Sequence, residues 1–564
     1  MADNLSFNLV DENWIPVTLL DGTEELLSLS DVFHRLQEVQ CLSCELPTMN
    51  LVVLRLLLAV TERALALNYD EYDEDDPIAL WAELWEADEL PLDLIDSYFE
   101  RWRQRFDLFD PERPFMQDPS IAATNGKFAD ARKLRSASEN KAQLFPMALQ
   151  RGAAGSRCVS EVPLTMGFDE AARWLLHVQA FDTGSTKTAV VGDPKVKKGR
   201  RYGRTGWLGS MGSVYVEGDS LFETLLFNLH LGDSASATDR LFDEEDLPAW
   251  ERELGGWSSE RLPAGFADIY TWQSRRVRLA VDEDDGRVAD VVLTHGDALG
   301  VVNMHEFEPM SSWRRNKKPK KSLREPVAYA PVMHNPERAL WRGIGSLIGW
   351  SDGTFRPGIL QWLGNLIEDP DVGLPQSTIL KVRAVGFTYG KQNACIDDAI
   401  DDALGIPAAL LSPANESLVT LVLHCADAAQ DAVCFFGRYV YDLARISGAG
   451  KDEPGKKSAA RERESSARSE AYFAVGELFS EWLGSLGGDV DPVQARNAWF
   501  DAVRRELMAL AAQRLSAVGP QVFAGRVWDG TWMNAAGAER KFKSSLNKVL
   551  PSEPRGEEVN GGGK

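Results

Sequence analysis

The chain changes character once, near residue 397, and that change constrains its architecture more than any other feature. Before it, short alternating segments are interleaved with helical patterns; after it, one amphipathic helical pattern follows another. Alternation with period two asks for half-buried strands, whereas apolar residues three and four apart ask for helices packed along one face. At 564 residues the chain is also long enough for more than one core. The expected class is therefore α+β: a large mixed N-terminal domain over residues 1–398, a C-terminal four-helix bundle over 399–551, and a disordered tail over 552–564.

Within the first part, FNLV, a turn at Asp11 to Asn13, WIPVTLL and the turn dipeptide Asp21-Gly22 predict a small opening sheet. Helical patterns dominate from Thr48 to about Arg105, broken by the acidic run DEYDEDD at 70–76, which reads as a solvated loop. Residues 118–160 lack periodicity and read as a long loop of the kind that often carries function. A helix over 168–178 leads into a stretch with seven glycines between 184 and 212, where backbone is expected to approach something closely. A helix over 220–231 and a hairpin turning at Asp284-Asp285-Gly286 follow. In the second part, helices are expected near 416–447, 468–486, 491–519 and 536–550, with a charged, mobile link over 447–470. The third has the clearest signature. Asp491 can cap its first amides, Pro492 suits the first turn, Gln494 completes a capping box, and Trp499, Val503, Leu507 and Leu510 make one stripe.

Composition narrows function. With 17 Trp the chain is not disordered, and a formal charge of -24 excludes a protein that coats nucleic acid with its whole surface. Six cysteines and a polar start predict free thiols and a cytoplasmic protein. The apolar stretch Leu51 to Val60, interrupted by Arg55, falls short of the roughly 20 residues of a bilayer span and reads as a buried helix, so no membrane segment is expected. The seven histidines show no metal or proton-transfer spacing, and no phosphate-cradling or nucleophile-elbow motif is present, so neither catalysis nor a cofactor is expected. Cys41 and Cys44 form a single C-x-x-C, which is half of a zinc site, a redox pair or two ordinary buried thiols. Two basic clusters stand out. One is Lys195, Lys197, Lys198, Arg200, Arg201 and Arg204; the other is Arg314, Arg315, Lys317, Lys318, Lys320, Lys321 and Arg324. Each is either a solvated loop or a local groove for a phosphate backbone.

The segments NLVDENWIPV at 8–17, FDLFDPERPFMQD at 106–118, TKTAVVGDP at 186–194 and FTYGKQNACI at 387–396 together resemble the large-subunit (CasA) family of the type I-E CRISPR surveillance complex, Cascade. The resemblance implies a non-catalytic subunit beside a guide RNA and other Cascade subunits. Such a subunit recognises a protospacer-adjacent motif in double-stranded DNA, promotes duplex opening and helps to recruit a helicase-nuclease. It places a wedge at Lys391, Gln392 and Asn393, and a glycine loop at Gly184 and Ser185 with Lys187 just beyond, within reach of a phosphate. Phe145 matches an aromatic near the guide handle. The family's lysine finger has no counterpart, because Val291 to Gly300 contains no lysine; His295 or Arg287 are the available substitutes. The alternative is a purely structural subunit of a large assembly.

Overall fold

Asp21-Gly22 closes a hairpin in the computed structural model, which describes residues 5–67, 76–131, 134, 165–232, 242–257, 261–282, 284–316, 328–349, 353–449, 458–487, 490–528 and 530–551. Gly22 takes the left-handed φ of 85° that the turn needs. Strands β1 (Ile15–Leu19) and β2 (Glu24–Leu27) pair across it. Helix α1 (Leu29–His34) then leads to β3 (Val39–Leu42) on the other side of β1. FNLV, expected as a strand, makes only a single bridge, Asn8 to Asp107.

The chain divides into two units: residues 1–338, 350–374 and 380–403, and residues 339–349, 375–379 and 404–564. Helix α2 (Pro47–Ala66) is the core of the first, buried almost all round. Two of its arginines survive burial because each has a partner. Arg55 meets Glu308 at 2.9 Å, and Arg63 meets Glu251 at 3.0 Å. Helices α3 (Pro77–Ala87) and α4 (Leu92–Trp102) follow, α3 capped by the Asp76 carboxylate; the rest of the acidic run lies outside the described residues.

A short strand β4 (Ala129–Asp130), helix α5 (Phe168–Phe181), strand β5 (Ser213–Glu217), and helices α6 (Leu221–Asn228) and α7 (Phe266–Tyr270) lead to the long hairpin of β6 (Arg275–Asp282) and β7 (Arg287–His295). It pairs Arg275 with His295 and forms a sheet in the order β4-β7-β6. A second small sheet joins β8 (Trp313–Arg315), β9 (Tyr329–Pro331) and β10 (Thr354–Phe355). After helix α8 (Gly358–Glu368), strands β11 (Ile379–Tyr389) and β12 (Ile396–Pro407) extend from β5 in the order β12-β11-β5. The expectation that strands cease at residue 397 is corrected here, since β12 continues to Pro407. Arg383 on β11 explains why this acidic segment pairs: it bridges Glu217 on β5 and Asp401 on β12.

The second unit contains four long helices: α9 (Glu416–Ile446), α10 (Ala459–Gly484), α11 (Pro492–Ser516) and α12 (Ala535–Val549). Helix α9 packs against each of the other three, and α10 against α11. Asp491 caps α11 through the amides of Val493 and Gln494, as its sequence indicates, and Trp482 stacks on Trp499 with ring centroids 5.1 Å apart. Residues 339–349 join this unit through Trp341, which stacks on Phe479. Among the described residues one helix, Pro413–Ile446, is long and apolar enough by length and composition to cross a bilayer, a segment that attention to Leu51–Val60 passes over. Many of its apolar side chains, Val422, Val433 and Phe436 among them, are buried inside the unit.

Helix α10 starts at Ala459, well before the expected 468, so much of the link expected to be mobile is helical. Its first half buries Ala460, Glu464, Ala467 and Ala471 instead of large apolar residues. Close packing replaces the missing apolar area: a Cβ on Gly437 of α9 would sit 2.4 Å from Cγ of Arg468. Gly437→Leu should therefore destabilise the protein by about 1–3 kcal/mol through overpacking, read as a lower denaturation midpoint. An unchanged midpoint would show that α9 and α10 have slack at this crossing.

Candidate nucleic-acid interface

The site is built outward from one carboxylate in the first unit. Asp182 directly follows the last turn of α5, and its side chain has no exposed surface. A buried carboxylate costs several kcal/mol unless it is paired and hydrogen-bonded. Here Lys187 Nζ lies 2.7 Å away and Arg275 Nε donates from the start of β6. Burial pushes the Asp182 carboxyl up, but Lys187 and Arg275 together overcome it and hold the group well below the usual carboxylate range. The Arg275 guanidinium also donates to the carbonyls of Thr183 at 3.1 Å and Arg204 at 2.9 Å. Asp182's own carbonyl accepts from Gly206 N at 2.8 Å. One ion cluster thereby ties the start of the glycine-rich stretch to residues 204–206 within it.

The wedge segment joins this cluster through the backbone. Gly184 N donates to Asn393 O at 2.7 Å. A Cβ on Gly184 would come within 3.2 Å of Asn393 Cβ and 3.4 Å of Thr205 N, so the absence of a side chain there has a steric reason. Lys391, Gln392 and Asn393 form a tight turn between β11 and β12, and all three are exposed. Gln392 and Asn393 have φ of 60° and 53°. A left-handed conformation costs a non-glycine residue about 1–2 kcal/mol, less for Asn, so the turn holds its amides outward against a local strain. Asn393 anchors the turn through its carbonyl, leaving Gln392 at the tip.

The first basic cluster is not a loose loop. Lys197 and Arg200 exchange both backbone hydrogen bonds, at 2.9 and 3.0 Å, around Lys198 and Gly199, whose φ values are 51° and 69°. Positive φ at both central residues matches the tight hairpin turn of type I′. This hairpin is tied to the Asp182 cluster by Lys187 N donating to Arg201 O at 3.0 Å.

Its charges divide into two sets. Lys197, Lys198, Arg200 and Arg204 are exposed and Lys195 is half-buried. Arg201 is buried and donates through Nε to Asp193 at 2.6 Å. Arg201 and Lys187 are thus corrected from phosphate contacts to internal ties. Ser185 accepts from Lys187 Nζ at 3.2 Å and belongs to the same internal network.

The residues suggested in place of the lysine finger do not converge on that role. Burial, together with Arg275, Lys187 and Arg201, lowers His295 to about 2, so its imidazole is neutral at ordinary pH. Arg287, at the start of β7, donates to the Thr165 hydroxyl. Phe145 lies outside the described residues, as do Lys317, Lys318, Lys320, Lys321 and Arg324; Arg314 and Arg315 are exposed on β8. Burial pushes the Cys44 thiol well above its ordinary range, with Glu45 adding to the effect, which disfavours the thiolate that a zinc site needs. Asp182 and Arg275 carry no signal in the sequence, where they stand among 85 acidic and 61 basic residues with no motif to mark them; Asp193 stands in the segment TKTAVVGDP.

The chain is similar to known proteins over most of its length. The family model described as CRISPR-associated protein Cse1 matches residues 8–510. A CasA/Cse1 protein of Thermus thermophilus is 28% identical over 436 residues, 75% of each chain. The crystal structure of Thermobifida fusca Cse1 is 32% identical with a TM-score of 0.82, covering 97% of this chain and 98% of that one. Cse1 from Acidimicrobium ferrooxidans is 27% identical with a TM-score of 0.78, covering 97% and 99%. A chain of a CRISPR RNA-guided surveillance complex, 21% identical with a TM-score of 0.67 over 97% and 100%, shares the fold.

Replacing Asp182 by Asn leaves Lys187 and Arg275 buried without their countercharge and should cost about 3–5 kcal/mol at neutral pH. Because the folded-state pKa is depressed, the carboxylate's contribution is fully present above the unfolded value of about 3.9 and fades as pH falls below it. Denaturation of parent and variant should therefore converge in acid. Hydrogen exchange should quicken at residues 183–206 and 390–394, with α9 to α12 unaffected. Uniform loosening of both units would refute a local role.

Proposed function

The chain belongs to the Cse1 family of CRISPR-associated proteins, and from that premise we propose that it is the subunit of a guide-RNA ribonucleoprotein that reads a short motif in double-stranded DNA and starts its opening. The single observation that carries the reading is the convergence of the Gly184 backbone, the Lys391–Asn393 turn and the Lys197–Arg200 hairpin on the Asp182 cluster. Amides that neither carry charge nor need burial suit base edges in the minor groove, whose pattern is degenerate. Exposed cations on a rigid hairpin suit the phosphates beside it. The net charge of -24 disfavours DNA over most of the surface and so favours a local patch such as this one.

The proposed division of labour has no bond-making chemistry in this chain. Helices α9 to α12 form the four-helix body proposed to face a helicase-nuclease, and the first unit carries the contacts to guide RNA, target DNA and the other subunits. Opening the duplex exchanges DNA pairs for guide pairs at near balance, but its first steps lose about 1.4 kcal/mol of stacking per base-pair step before guide pairing compensates. A wedge at Gln392 and Asn393 offsets that early loss by holding the first pair unstacked.

Two experiments divide these roles. Lys197→Ala, Lys198→Ala and Arg200→Ala together should weaken binding to all duplexes alike and lower the salt slope by about 0.9 for each phosphate no longer neutralised, with sequence preference intact. An unchanged slope would return the hairpin to ordinary surface. Within the assembled complex, Gln392→Ala with Asn393→Ala should slow opening of linear targets far more than it weakens capture, and a few premelted pairs beside the motif should restore the rate. Parental opening rates on linear DNA, or no rescue by premelting, would remove the wedge from these positions.

A further inference from the structure

Tyr202 follows the basic hairpin directly and is 56% exposed, although the backbone around it is held on both sides. Arg201, the residue before it, is buried, donates from Nε to Asp193 at 2.6 Å, and donates again to the Tyr202 carbonyl. Gly203, the residue after it, presses on His295, since a Cβ there would sit 2.4 Å from the imidazole Nδ1. The Arg204 carbonyl then accepts from the buried Arg275 guanidinium at 2.9 Å. An aromatic side chain has only two rotatable bonds, so on a fixed backbone it is presented to a partner at little further cost in entropy.

Its flanks are cationic. Arg200 and Arg204 are exposed on either side in the chain, and contact with the Tyr202 hydroxyl raises the Arg200 guanidinium above its ordinary value. Those cations suit phosphates. An uncharged ring adds little to that role, but it can stack on a base, because every base has an aromatic face. Inside a paired duplex both faces of each base are covered by its neighbours, so the ring finds a partner only where a base has left the stack. The wedge turn is near enough to supply one. Gly184, bonded to Asn393, and Lys187, bonded to Arg201, are three residues apart in the chain. That separation spans at most about 11 Å, roughly three base-pair steps of about 3.4 Å.

We propose that Tyr202 stacks on one unpaired base of the DNA released beside the wedge turn. The inference rests on the DNA-binding reading above and extends it to the opened state. A contact available only after the strands part favours opening by its full strength, since a ligand shifts an equilibrium through its differential affinity for the two states.

The test uses the full chain, with a fully paired duplex and the same duplex carrying one bulged nucleotide, read by fluorescence anisotropy. The parent should bind the bulged duplex about tenfold more tightly, the scale of one base-stacking contact. Tyr202→Ala should abolish that preference and leave paired-duplex binding unchanged. Tyr202→Phe, which keeps the ring and removes the hydroxyl, should retain it. A preference that survives Tyr202→Ala would overturn the inference. Loss of the preference in Tyr202→Phe would overturn it as well, because the hydroxyl and not the ring would then be the binding group. Equal binding of both duplexes by the parent would overturn the stacking contact while leaving the DNA-binding reading intact. Binding of neither duplex would remove that reading and this inference together.

Discussion

Asp182 carries a full negative charge in a place that water does not reach, and the positions of three surface segments follow from how that charge is balanced. Its two cations come from different directions, Lys187 from five residues onward and Arg275 from the start of a distant strand. Either alone would hold the carboxylate less firmly and leave one of the segments untied. Together they fold the glycine-rich stretch back onto the end of α5, and the guanidinium's remaining donors bind the carbonyls of Thr183 and Arg204. The Gly184 amide and the Arg201 carbonyl then pass that order to the wedge turn and the basic hairpin. A buried ion pair is weak evidence for stability in general; its value here is positional.

The same logic reconciles an acidic protein with DNA. A formal charge of -24 repels a polyanion over most of the surface. Of the first basic cluster, Lys197, Lys198, Arg200 and Arg204 remain outward and sit on or beside a turn whose two left-handed residues leave little freedom. Rigidity matters as much as charge, because phosphate contacts fix register on a duplex only when their spacing is fixed. Arg201 and Lys187 show the other half of the arrangement: basic residues of the same stretch, turned inward to hold the shape.

Local signals in the sequence are legible where one residue type has one physical use. Asp21-Gly22 closes its hairpin, Asp491-Pro492 opens its helix, and the run around Leu51 to Val60 forms a buried helix. The family resemblance also marks Gly184 and Lys391 to Asn393, and the close approach of Gly184 to Asn393 supplies its physical reason. What escapes is whatever depends on a distant partner. Strand signals cease near 397 in the sequence, short of the end of β12, because Arg383, which neutralises Asp401, lies on another strand. The first half of α10 reads as mobile because it buries alanines and Glu464, with the stem of Arg468 against Gly437, and such residues give no hydrophobic stripe. Arg201 reads as a phosphate ligand because its partner Asp193, only eight residues away, is buried by tertiary structure alone.

The central claim is that the wedge turn and the basic hairpin form one surface organised by Asp182. Photo-crosslinking measures this most directly: a benzophenone amino acid is placed at Lys198 or at Gln392, in the parent and with Asp182→Asn, and the crosslinked nucleotides of a bound duplex are mapped. Both positions should react with nucleotides within about one helical turn of each other, and the Asp182 substitution should scatter that pattern while leaving a folded second unit. Crosslinks to distant parts of the duplex, or a shared pattern that survives loss of the carboxylate, would contradict the account.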